Sequence, residues 1–260
     1  MPILNRNVQL AMAWCGPLFM AMFFIGLLVA DFFPPIPPDH TAAEVAAQYQ
    51  ADANWIRTGC LLMMIGCGFL IPFFSVISAQ LVRIEGRFAP ICFANVACNA
   101  IGLLAITLPV LFWAAASFRP ERNPELIQAM NDLGWFPFIM PFPFFSAQLI
   151  LIAVAIFSDR NSPLVYPRWI GYVLLYAAVG VAPAGLIPWF TDGVFAWDGL
   201  LVFWMAVVMF GSVFISLTWG TLRAIKSQYD QAAELGLPYA TAVDLPPHAY
   251  SAPTLTGAAR

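Results

Sequence analysis

Thr58-Gly-Cys-Leu-Leu-Met-Met-Ile-Gly-Cys-Gly-Phe-Leu-Ile-Pro-Phe-Phe-Ser-Val-Ile-Ser-Ala-Gln-Leu-Val82 runs for 25 residues without an acid, an arginine, a lysine or a histidine. A bilayer core about 30 Å thick is crossed by a helix of roughly 20 apolar residues. This stretch is long enough to span, and too apolar to be left in water. It predicts a transmembrane helix.

Similar charge-free stretches recur along the chain, and the set places spans at about 7–30, 58–82, 90–118, 133–158, 169–190 and 199–222. The composition agrees: 61% of residues are hydrophobic and 10% charged, against about 25% charged in a soluble domain. Mean hydropathy is +0.79. The predicted fold class is therefore an all-α integral membrane protein, a six-transmembrane-helix bundle over residues 1–225. Residues 226–260 are expected as a cytoplasmic helix extension and a flexible tail, because Pro, Ala, Ser and Thr dominate there. The first stretch exceeds the 7–15 residues of a signal-peptide core and lacks an A-x-A site, so it reads as a retained helix.

Positive charge sets the orientation, since Lys and Arg favour the cytoplasmic loops. An inside N-terminus puts Arg6, Arg83, Arg87, Arg160, Arg168, Arg223, Lys226 and Arg260 on the cytoplasmic side, and only Arg57, Arg119 and Arg122 outside. Both termini are then cytoplasmic. The outer loops carry more structure. Pro34-Pro-Ile-Pro-Pro38 is stiff, Thr41-Ala-Ala-Glu44 has the form of a capping box, and Pro124–Met130 starts with a helix-opening proline. They predict a small folded extracytoplasmic cap. Short loops and a compact chain fit a multi-pass protein of the cell membrane, as in a bacterial inner membrane.

Several chemistries are excluded by residue supply. The net charge is −3 and no basic run occurs, so nucleic acid is not an expected partner. Both histidines, His40 and His248, lie outside the spans, which leaves haem, di-iron and zinc chemistry without ligands. No H-E-x-x-H, G-x-S-x-G or Walker A pattern is present. The five cysteines, Cys15, Cys60, Cys67, Cys92 and Cys98, show no C-x-x-C spacing and read as small buried hydrophobes. No catalytic residue, metal or cofactor is expected.

The polar residues left within the spans are neutral. Asn95 and Asn99 share one face of the third span, Gln148 and Ser146 lie in the fourth, and Ser75 lies in the second. Lipid penalises such groups, so they face the bundle interior, either as interhelical glue or as the lining of a ligand cavity. Pro141 and Pro183 are candidate hinges, because each removes a helix donor where lipid cannot replace it. Asp132, Asp198, Arg57 and Arg119 gather at the outer ends of spans as a candidate vestibule, or as ordinary interface ion pairs. Leu70-Ile-Pro-Phe-Phe74 and Leu186-Ile-Pro-Trp-Phe190 echo one another in spans of opposite direction, as inverted repeats do, or as chance allows.

The leading expectation is a non-enzymatic protein that binds or transports a small, mostly apolar or uncharged molecule, with membrane lipid around it. The alternative is an accessory or homo-oligomeric subunit packed against a membrane enzyme or a second copy. A third reading is a membrane enzyme working through the outer carboxylates Asp132 and Asp198.

Overall fold

The structure is a computed structural model, and it describes residues 2–86 and 88–234. The expected tail with His248 and Arg260, and Arg87 in the loop, lie outside the described residues. Among the described residues the chain is all helix, with no strand. The helices are α1 Pro2–Val29, α2 Ala42–Ala51, α3 Ala53–Gly68, α4 Leu70–Glu85 and α5 Pro90–Phe118. They continue as α6 Pro124–Ile139, α7 Phe142–Ser158, α8 Arg168–Gly180 and α9 Met205–Glu234. A 3-10 helix, Ala182–Trp189, follows α8, and a π-helical turn, Leu200–Trp204, precedes α9.

Six helical segments are long and apolar enough to cross a membrane: Arg6–Val29, Ala53–Glu85, Pro90–Phe118, Pro124–Ser158, Arg168–Trp189 and Leu200–Ala233. They fit a multi-pass membrane helical bundle. Their limits differ most from the sequence expectation at the start of the fourth span. The Pro124–Met130 helix is not a separate piece: no Gly or Pro stands between Glu125 and Leu133, and α6 continues past Gly134 and Pro137 to Ile139. The last span runs on as far as Glu234, the polar helix extension expected after it, since that stretch keeps good helix formers throughout.

Close packing comes from small residues. A Cβ on Gly59 would collide with the carbonyl of Gly26 and stand 2.7 Å from the Cβ of Ala30, so the α1–α3 crossing needs hydrogen there. At one end of the bundle, α2 is held by its capping box: Glu44 N–H donates to the Thr41 hydroxyl, and the Glu44 carboxylate accepts from Thr41 N–H at 2.8 Å. Those bonds hold the Glu44 carboxyl below its usual range. At the opposite end, α4 stops at Gly86, whose φ of 79° favours glycine. Beside it Glu85 accepts from Ile91 N–H at 2.9 Å and Cys92 N–H at 2.8 Å, capping the start of α5. All five cysteines are free.

Candidate functional site

Four of the six spans are interrupted, and proline or a π turn is responsible each time. Pro72 has no N–H for the carbonyl of Gly68, and α3 gives way to α4 at Phe69. Pro141 separates α6 from α7. Pro183 converts the end of α8 into the 3-10 helix, where Ala184 N–H donates to the Val181 carbonyl at 3.1 Å. The sixth span opens on the π turn, where Met205 N–H reaches back five residues to the Leu200 carbonyl.

These interruptions meet at one place. A partly open cavity of about 140 Å³ is lined by Leu70 and Phe74 from the first break and Pro141 and Phe142 from the second. Val181 and Ala184 come from the third, and Val202 and Phe203 from the fourth. The unbroken spans α1 and α5 line it too, as do Ala206, Val207, Phe210 and Phe214 of α9, and α5 is itself weakened there. Pro109 withholds an N–H from Ala105, and Thr107 turns its hydroxyl back onto the Leu103 carbonyl at 2.9 Å. Eleven of the lining side chains are phenylalanine, among them Phe145 and Phe210, whose rings stack at 4.3 Å.

The polar lining is confined to Asn99 and Gln148. Gln148 is buried and donates to Asn95 Oδ1 at 3.0 Å, while Asn95 donates to Ser78 Oγ at 2.8 Å. Asn95 is thus consumed in helix–helix bonding between α5, α7 and α4, and does not line the cavity. Asn99, one turn further along α5, has no hydrogen-bond partner among the described residues. Of the other expected ligand-binding residues, Ser146 bonds the Ala178 carbonyl at 2.8 Å, and exposed Ser75 bonds the Ile71 carbonyl of its own helix at 2.7 Å. Neither lines the cavity. Pro141 lines it directly, and Pro183 sits between the lining residues Val181 and Ala184.

The four vestibule residues are not brought into one cluster by any hydrogen bond or ion pair among the described residues. Arg57 grips the end of α5, donating to the Ser117 carbonyl at 2.6 and 3.0 Å. The Arg119 guanidinium lies 5.5 Å from the Phe118 ring centre. Asp132 accepts from the Asn131 amide, and Asn131 accepts from the Tyr49 hydroxyl at 3.2 Å. Burial holds the Asp198 carboxyl above its usual range, with Asp39 adding to the effect and His40 opposing it. Next to it, Trp197 donates its indole N–H to the Ile36 carbonyl at 2.8 Å, pinning the proline-rich segment.

The pairing of Trp113 with Trp135 and the partners of Gln80 escaped the sequence reading. Trp113 and Trp135 are fully buried with ring centres 4.8 Å apart, and neither indole N–H has a partner among the described residues. They pack on Phe138, which lines the cavity, so an aromatic layer separates the cavity from the α2 end. Far from it, Gln80 donates to Gln9 at 2.8 Å and Gln228 at 3.2 Å, and its own oxygen accepts from Arg83 at 2.7 Å. Arg83 is a neighbour on α4, but Gln9 and Gln228 come from α1 and α9, distant in sequence, and no local pattern announces them. Compared with known proteins, the chain matches no family model, no curated protein and no solved structure.

Proposed function

We propose that this chain is a polytopic membrane protein whose bundle binds, or transports, a small, mostly apolar or uncharged molecule without altering it chemically. The convergence of four span interruptions on one apolar cavity carries the reading. Irregular backbone at membrane depth is tolerated only against protein or a cavity, and such breaks are the usual sites of binding and movement in membrane bundles. A cavity with two amides and no charged lining residue suits an uncharged guest.

The orientation belongs to the same reading. Arg83, Arg160, Arg168, Arg223 and Lys226 fall at one end of the alternating spans, against Arg57, Arg119 and Arg122 at the other. By the positive-inside rule both termini are cytoplasmic, and α2 with the proline-rich segment forms an extracytoplasmic cap.

The test is native mass spectrometry of the protein extracted with its own lipid, compared with Gly102→Phe. Gly102 lines the cavity, and a Cβ there meets no atom within 4 Å, so the ring can enter the cavity without displacing the backbone. A reproducible non-lipid adduct on the wild type that is missing from Gly102→Phe supports the proposal. A second polypeptide in place of an adduct would favour the accessory-subunit alternative.

A further inference from the structure

The size, lining and free valences of the cavity narrow the guest further. A volume of about 140 Å³ holds roughly one benzene-sized ring. Phenylalanine dominates the lining, and ring edges and faces pack best against another flat ring. A whole lipid cannot fit, so any longer substituent has to leave through the opening. Phe144 of α7 lines the cavity and is 45% exposed, and Gly102 of α5 lines it beside empty space. The opening therefore follows the seam between α5 and α7, toward lipid.

The two amides set the polar requirement. Asn99 has both its donor and its acceptor free among the described residues. Gln148 has spent one N–H on Asn95, and its side-chain oxygen accepts no hydrogen bond among the described residues. A neutral group that both donates and accepts satisfies this pair, and a hydroxyl is the smallest such group. A carboxylate or an ammonium would be desolvated with no opposite charge to meet it.

Resting on the proposed binding function, we infer that the guest is a neutral hydroxylated single-ring molecule of the phenol class. Its ring sits among the phenylalanines, its hydroxyl lies between Asn99 and Gln148, and any apolar substituent passes out between α5 and α7.

The experiment measures binding of p-cresol, toluene and benzoate to the full chain in lipid nanodiscs, with empty nanodiscs as the partition blank. p-Cresol is expected to bind about tenfold more tightly than toluene, the worth of roughly one neutral hydrogen bond, and benzoate not at all. Asn99→Leu, which has no internal bond to lose, should reduce that advantage while leaving toluene bound. Gly102→Phe should exclude both neutral probes. Equal binding of p-cresol and toluene would overturn the hydroxyl assignment and leave the apolar-cavity function standing. Benzoate binding as tightly as p-cresol would also overturn it. Failure of both neutral probes to bind the folded wild type would remove the binding function itself.

Discussion

Gln148 of α7 donates its side-chain amide to Asn95 of α5 across 3.0 Å, and both residues are buried. The pair ties the helix that follows the Pro141 break to an uninterrupted neighbour, and Asn95 passes the chain on to Ser78 of α4. Three helices around the cavity are joined by two bonds.

Asn95→Leu should therefore destabilise the bundle by about 1–2 kcal/mol, because it leaves two buried partners unsatisfied. Thermal unfolding in nanodiscs reads the loss. Combined with Gln148→Leu, the double variant should lose clearly less than the sum of the single changes, since both remove one shared bond. Strict additivity would count against the coupling.

Two glycines offer opposite outcomes for the same substitution. A Cβ at Gly134 would collide with the indole of Trp113, and Gly134→Ala should cost roughly 1–3 kcal/mol by overpacking. Gly102→Ala meets nothing and gains helix propensity, so it should be neutral or stabilising by up to about 1 kcal/mol. Melting temperatures measured side by side decide it.

Arg57 caps the end of α5. Arg57→Met should free the carbonyls of Ser117 and Phe118, with a stability loss of about 1 kcal/mol. Faster amide exchange in the segments around residues 114–120 is the local signature. Lysine should restore only part, since a single ammonium cannot reproduce the guanidinium fork.

Asp198 is a partly buried carboxylate whose desolvation outweighs the attraction of His40. Its folded-state pKa is raised, so its charged form opposes folding above that pKa, and the penalty vanishes below the ordinary carboxylate range. Asp198→Asn should raise Tm at pH 7. The gain should shrink as pH falls and disappear near the ordinary aspartate pKa of about 4. A gain that persisted in strong acid would mean that charge is not its cause.

Much of the architecture was legible because bilayer crossing demands length and apolarity, and both are written along the chain. The Thr41–Glu44 box was equally readable, since its partners are three residues apart. The break at Phe69 was not, although Pro72 stood in plain view within the Leu-Ile-Pro-Phe-Phe run. A single proline is compatible with a kinked but continuous helix, as Pro17 and Pro109 demonstrate in α1 and α5. The site was half legible. Periodicity put Asn95 and Asn99 on one face, yet it could not say which of them met a neighbouring helix and which met empty space. That difference depends on where α7 crosses α5, which no local pattern encodes.

The interrupted spans also bear on how the protein meets membranes of different thickness. A continuous helix answers a thinner bilayer by tilting as a rod. Four jointed spans can instead fold at the level of the cavity, so compression of the bilayer would narrow the space between the phenylalanines. Occupancy should then rise with lipid acyl-chain length, and binding compared in 14-carbon and 18-carbon lipids would show it. On this view the surrounding lipid sets the affinity of the protein it encloses.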